Sequence, residues 1–282
     1  MRSSVEIKKI VLDKAASDPR IRAVLLNGSR ANPNIEEDIF QDFDVVYFVT
    51  EMESFLLDPQ WIEIFGDRII MQLPDDMVIC DEKKNSAYHY LMLFDDRNRI
   101  DLTLFPLDKL NSEYSRDSLT VLLLDKDNLF PDPTPPNEKD YLINKPTAKE
   151  FGDCCNEFWW VCTYVAKGLW RKEITYAKDM LENPVRKMFF KMIEWKIGVE
   201  NDFMVSFGKS GKNMKKYLSP GQFEKILLTY PDHKPEHIRE SLFLMTSLFG
   251  AYAKEISFSL RFSYDEDEEK KVTEYLKKIL LG

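Results

Sequence analysis

IRAVLLNGSRANPNIEEDIFQDFDVVYFVT, residues 21–50, is the stretch from which the fold can be read. Ile21 to Leu26 is a short aliphatic run that ends in Asn-Gly-Ser, the pattern of a buried strand followed by a tight turn. Phe43 to Thr50 is a second run, rich in Val, Tyr and Phe, which favour a pleated, half-buried surface. Between Ser29 and Asp42 lie twelve residues of mixed polarity. Because residues i and i+2 of a strand share a face, Asp42 and Asp44 project together while Phe43 turns into the core.

Outward from this pair, apolar residues from Val5 to Ala15 recur at helical spacing until Asp18-Pro19, which predicts a helix over 4–16. Residues 68–73, 88–94 and 100–105 read as further strands, with Asp95 to Asn98 as a polar turn suited to a hairpin. Helices are expected near 54–65 and 108–118. These elements predict an α/β (α+β) domain on a mixed sheet. Five of the 14 prolines then fall within residues 131–146, the composition of a linker. Thr147 and Glu150 form a T-x-x-E capping box that announces a helix running to about Arg171. Pro184 and Pro220 suit the first turns of later helices, and 236–262 and 265–281 carry helical periodicity. The expected division is residues 1–145 and a C-terminal all-α helical bundle over residues 146–282.

Composition narrows the function. A formal charge of -9, from 39 Lys and Arg against 48 Asp and Glu, argues against binding nucleic acid, which needs a dense basic surface, and suits a small cationic partner. The N-terminus MRSSVEIKK lacks the apolar core of a signal peptide, and no window reaches the length of a membrane span. The expectation is a cytoplasmic protein, a monomer, with no membrane partner, in which Asn27-Gly28-Ser29 is not a glycosylation signal. Cys80, Cys154, Cys155 and Cys162 show no CxxC spacing and read as reduced thiols, the last two in helix packing.

The chemistry centres on the aspartates. Two ionised carboxylates a few ångströms apart repel unless a cation lies between them. Mg²⁺ takes hard oxygen ligands and is held by one or two carboxylates together with phosphates, so Asp42 and Asp44 are candidate metal ligands. Asp101, alternating with Ile100 and Leu102 on a later strand, is the candidate third carboxylate and the leading choice for a base. Gly28 admits a close approach of the backbone to a triphosphate, the Ser29 hydroxyl adds a donor, and Arg30 adds charge. A lone Asp-x-Asp is common; the conjunction of the Gly-Ser turn, the Asp-x-Asp strand and the later Ile-Asp-Leu strand resembles the polymerase-β-like nucleotidyltransferase superfamily. Within it, LLNGSRANPN, FQDFDVVYFVT, WIEIFG, RIDLTLFPL, LLLDKD and KPTAKEFGDCCNEFWWVCTYVAKGLWR resemble the aminoglycoside 6-adenylyltransferases, streptomycin-modifying enzymes, over essentially the whole length. That resemblance implies transfer of AMP from ATP to a hydroxyl of streptomycin, with Asp42, Asp44 and Asp101 as the family's three carboxylates. Asn27 stands where the family leads one to expect Glu. The alternatives are the same chemistry on another aminoglycoside or a protein hydroxyl, and a nucleotide-binding regulator without turnover.

In the second half, Glu157, Trp160, Tyr164, Asp179 and Glu182 are candidates for a cationic sugar placed in an interdomain cleft, since carboxylates pair with guanidinium groups and rings offer faces to them. The competing reading of Trp159, Trp160 and Tyr164 is core packing. FGKSGKNMKKYL lacks the residues of a Walker A turn, with Ser206 and Asn213 in the wrong places. By resemblance to adenylyltransferases whose helical domain supplies a lysine to ATP, Lys212 is the first candidate there and Lys209 the second. Pro235 between His233 and His237 argues against a zinc pair, and His89 reads as packing.

Overall fold

Strands β1 (Ile21–Asn27) and β2 (Phe43–Val49) carry apolar runs, Ala23 to Leu26 and Val45 to Val49, because both of their faces are covered. On one face Ile21, Val24, Leu26, Val45 and Tyr47 pack with helix α1 (Ser4–Ser17) and a 3-10 turn at Pro59–Phe65. On the other face Ala23, Leu25, Val46 and Phe48 pack with Phe105 and the rings of Tyr114 and Phe130. A computed structural model describes residues 1–79, 86–131 and 134–282; Cys80 and Pro133 lie outside the described residues.

Among the described residues the sheet has six strands in the order β3-β4-β5-β2-β1-β6, where β3 is Arg68–Gln72, β4 Tyr88–Phe94, β5 Arg99–Pro106 and β6 Thr120–Asp125. All neighbours are antiparallel except β2 and β5, so the sheet is mixed. The Asp95–Asn98 segment turns β4 into β5, with Arg97 in the left-handed region at φ 71°. α1 begins at a capping box in which Ser3 accepts from the Glu6 N–H and Glu6 accepts from the Ser3 N–H. The helix expected over 54–65 is two pieces, α2 (Met52–Leu57) and the 3-10 turn, because Pro59 interrupts the ladder and Asp58 caps the 3-10 turn by accepting from the Gln60 N–H. That expected over 108–118 shortens to α3 (Leu110–Glu113).

The chain divides into Met1–Asp140 and Tyr141–Gly282. Residues 141–145 belong with the helices, since Ile143 is buried in their core and its N–H donates to Val205 O at 2.9 Å. The second unit is a bundle around α4 (Ala148–Trp170), which packs on α5 (Ile174–Met180), α6 (Arg186–Glu200), α8 (Pro235–Leu260) and α9 (Glu266–Leu280); the short α7 is Pro220–Leu227. Phe158 of α4 stacks on Phe249 of α8 with ring centroids 3.7 Å apart. Cys154, Cys155 and Cys162 are all buried, and burial pushes the Cys154 thiol up to about 12, so these are packing groups and not nucleophiles. Pro220 starts α7 behind a Ser219–Gln222 capping box. Pro184 does not start a helix. It lies inside a π-turn, Leu181–Val185, that joins α5 to α6, a place where the wider spacing accommodates the missing N–H. Among the described residues no helix is long and apolar enough to cross a membrane.

Candidate active site

One row of paired residues crosses all six strands: Gln72, Leu91, Asp101, Asp44, Asn27 and Thr120, from β3 to β6. Paired residues share a face, so the row sets Asp44 beside Asp101 and Asn27 on the other side of Asp44. The row continues in the hydrogen bond from the Thr120 hydroxyl to Asn27 Oδ1 at 2.8 Å. Gly28 follows directly. Its φ is +73°, its N–H donates to Leu119 O at 3.0 Å, and a Cβ built on it would lie 2.2 Å from Asp44 Oδ2. Only glycine permits both the backbone angle and the carboxylate packed over it.

Asp42 lies just before β2, with Phe43 buried in the core behind it. Arg99, two residues before Asp101 on β5, forks onto the Asp101 carboxylate with both contacts at 2.7 Å and reaches Asp42 Oδ2 at 3.6 Å. Burial first, and then the charges of Asp101 and Asp42, raise the Asp44 carboxyl to about 6. Burial also raises Asp42; Arg99 works against that shift and Asp101 adds to it. These desolvated, mutually repelling hard-oxygen donors are what a divalent cation would relieve, and their chemistry fits Mg²⁺. Among the described residues, however, no group of three or more His, Cys, Asp or Glu is gathered closely enough to hold a metal. Asp101 is committed to Arg99. The donor set that fits is therefore Asp42 and Asp44 completed by phosphate oxygens, not a closed cage of three aspartates.

Arg30 is placed differently from the expectation that it adds charge for a triphosphate. Its guanidinium donates to Gln41 O at 2.8 and 3.1 Å, lies 3.8 Å from the Phe43 ring centroid and pairs with Glu37 at 3.7 Å. It fastens the loop that leads into Asp42. Ser29 follows Gly28 in the 3-10 turn Gly28–Ala31, as the turn reading requires.

In the helical unit the candidates separate into two groups. Glu157 is exposed, and Trp160 is 59% exposed with its Nε1–H donating to the Tyr164 hydroxyl at 2.8 Å. Trp159 is core, its Nε1–H directed to the Tyr264 hydroxyl. The cavity beside Tyr164, about 370 Å³, also carries Lys167 and Arg171, a lining that disfavours a cation. Glu182 is taken up by Arg186 at 2.5 Å and Lys178 at 3.3 Å, and Arg186 is itself buried, donating to Thr229 Oγ1 and O. That carboxylate is a structural counter-ion, a correction to its expected role. Asp179 accepts from Asn183 Nδ2 at 2.5 Å. Lys209 and Lys212 are exposed, in and just after a 3-10 turn that follows Gly208 and ends at Gly211. His89, expected as packing, pairs through Nδ1 with Asp75 at 3.0 Å. Arg99 escaped the sequence reading, although its i, i+2 spacing from Asp101 placed both on one strand face.

A Gly-Ser turn at the end of one strand, with carboxylates side by side on the next two strands of a mixed sheet, defines the nucleotidyltransferase class. Comparison with known proteins narrows this. The chain matches the streptomycin adenylyltransferase family over residues 1–279. It is 44% identical over 276 residues to an aminoglycoside 6-adenylyltransferase from Bacillus subtilis (strain 168), covering 98% of this chain and 97% of that one. It is 45% identical over 270 residues to one from Campylobacter jejuni, covering 96% and 93%. A crystal structure of an aminoglycoside 6-adenyltransferase from Bacillus subtilis aligns over 99% of both chains at 40% identity with a TM-score of 0.49. The chain belongs to the streptomycin adenylyltransferase family and is an adenylyltransferase.

Proposed function

We propose that this protein transfers AMP from ATP to the 6-hydroxyl of streptomycin, releases pyrophosphate, and so confers resistance to the drug as a cytoplasmic monomer. The observation that carries the reading is the Asp44–Asp101 pair beside Gly28, in a chain that belongs to this family along its length. Position 6 and the aminoglycoside class rest on the names of its curated relatives.

In this reading the sugar oxygen attacks the α-phosphorus and forms a new P–O bond. The bond from that phosphorus to the oxygen bridging to the β-phosphate breaks, and the pair of electrons leaves with pyrophosphate. Asp42 and Asp44 would hold Mg²⁺, which would supply charge neutralisation and Lewis-acid polarisation at the α-phosphate. The backbone N–H and hydroxyl of Ser29, in the turn after Gly28, bind the departing phosphates, where negative charge grows in the transition state. Asp101 takes the proton of the sugar hydroxyl, and Arg99 fixes its orientation. Lys212, and after it Lys209, contributes a cation to the triphosphate. Glu157, Trp160 and Asp179 remain the helical-unit contacts proposed for the drug, and Tyr164, whose ring faces Lys167, is left out.

The test is an assay of purified protein with ATP, Mg²⁺ and a panel of aminoglycosides, following pyrophosphate release and product mass. Streptomycin gaining the mass of one AMP is the expected result. A panel that yields no product despite tight ATP binding refutes the enzyme reading in favour of a nucleotide-binding regulator, and a different modified drug refutes the acceptor.

A further inference from the structure

We infer that Arg30 is a positioning residue for the metal ligand Asp42, a strut that ties the turn carrying Ser29 to the loop carrying Asp42 and holds that carboxylate ready for its cation. The inference rests on the proposed Mg²⁺ site and adds what keeps one of its ligands in place.

The two ligands are anchored unequally. Asp44 lies inside β2, paired with Asn27 on one side and Asp101 on the other, so the ladders fix its backbone. Asp42 lies immediately before the strand, outside both ladders. The segment that delivers it, residues 33–40, is exposed at every position, and a stretch with so few buried contacts does not hold its own shape. Its near end is tied by Asn32, whose Nδ2 donates to Glu138 Oε1 at 2.7 Å. Its far end is tied by Arg30.

The Nε and Nη2 of Arg30 both donate to Gln41 O, at 3.1 and 2.8 Å, and the guanidinium lies 3.8 Å from the Phe43 ring centroid, so the residues on either side of Asp42 are gripped at once. Nη1 faces Glu37 Oε2 at 3.7 Å, and only 6% of the side chain is exposed. A guanidinium whose three nitrogens are spent on the loop and whose face lies on a ring is a fastening and not a phosphate contact. Lysine would carry the same charge but neither the fork nor the stacking plane. Arg99 reaches the Asp42 carboxylate itself at 3.6 Å, whereas Arg30 fixes the backbone beneath it. Ser29, which is proposed to meet the departing phosphates, precedes Arg30 in the same 3-10 turn, Gly28–Ala31. The phosphate turn and the metal loop are thus joined through one side chain.

The sign of the effect separates a strut from a neighbouring charge. A cation beside Asp42 repels Mg²⁺, so its removal alone would tighten metal binding, whereas removal of a strut loosens the ligand and weakens it. Arg30→Met, which removes fork and charge, and Arg30→Lys, which removes only the fork, are compared with the parent chain by calorimetric titration with MgCl2 in the absence of nucleotide, and separately with ATP in EDTA. Arg20→Met is the control, since Arg20 pairs with Asp18 and stacks on Phe55 at 3.8 Å in the same unit, beside the end of β1 remote from Gly28. A thermal melt confirms that each variant folds. Both Arg30 variants should bind Mg²⁺ about 10- to 100-fold more weakly, the scale on which residues supporting a metal ligand act, with metal-free ATP affinity unchanged and the control like the parent. Tighter or unchanged Mg²⁺ binding by Arg30→Met, parent-like binding by Arg30→Lys, or an equal loss in Arg20→Met overturns the inference and spares the metal site. Weaker metal-free ATP binding with Mg²⁺ affinity intact returns Arg30 to the phosphates and overturns it as well. A parent chain that binds no Mg²⁺ overturns the inference together with the metal reading. If Arg30→Met fails to fold, Arg30→Lys decides alone.

Discussion

Replacing Asp44 by Asn should stabilise the first unit at neutral and alkaline pH. Burial and two neighbouring carboxylates raise the Asp44 carboxyl from 3.8 to about 6, so the folded state binds its proton more tightly than the unfolded chain does. Asp44 is therefore tolerated below about pH 4, and stability is lost as pH rises from there through about 6. At 1.36 kcal/mol per pH unit the full penalty is about 3 kcal/mol, and partial access to water reduces it to roughly 2. Asn keeps the shape that fits over Gly28 and cannot ionise. In calorimetry without divalent cations, Asp44→Asn should match the parent at pH 4 and melt on the order of 8 °C higher at pH 8. Added Mg²⁺ should raise the parent's transition and leave the variant's where it was. A variant no more stable than the parent at pH 8, or an advantage as large at pH 4 as at pH 8, would refute the account of a site under electrostatic strain.

Gly28→Ala forces a methyl group to within 2.2 Å of Asp44 Oδ2 at a φ of +73°, so it should destabilise the first unit by roughly 1 to 3 kcal/mol from the backbone alone and weaken ATP binding, both measurable by melting and titration. Asp101→Asn should lower kcat by about 10²- to 10⁴-fold while ATP affinity stays close to the parent's, and near-normal turnover would remove Asp101 from proton transfer. Arg186→Met leaves Glu182 without its main partner and should destabilise the helical unit by about 3 kcal/mol in denaturant, whereas Glu182→Gln should leave the KM for streptomycin unchanged.

The strands of the site were readable because their causes are local. Val45 to Val49 is apolar throughout since both faces of β2 are covered, and the alternation about Phe43 and Ile100 places the three aspartates on one face. β6 left no comparable mark. Among the described residues it pairs only with β1, and its side chains are mostly half-buried, so Thr120 to Asp125 shows neither clean alternation nor a fully buried run. Long-range partners account for the other differences. Nothing near Arg30 in the sequence says that Gln41 O and the Phe43 ring will claim its guanidinium, and Glu182 loses its freedom through Arg186, whose own place is set by Thr229 across the bundle. Pro184 carries the composition of a helix start, yet buried Leu181 and Val185 hold the chain through it as a π-turn.

The parallel seam between β2 and β5 also has a bearing on how the site comes into being. β1 and β2 form one antiparallel pair and β4 and β5 another, each close in sequence, whereas the seam joins segments separated by β3 and β4. Contacts between near neighbours close at a smaller entropic penalty than distant ones. Along the chain's own ordering, Asp44 and Asp101 thus mature on separate ribbons and meet only at a junction that closes across β3 and β4. The repulsion of Asp44 by Asp101, larger than that by Asp42, is absent from either ribbon by itself, so neither half has to nucleate against it.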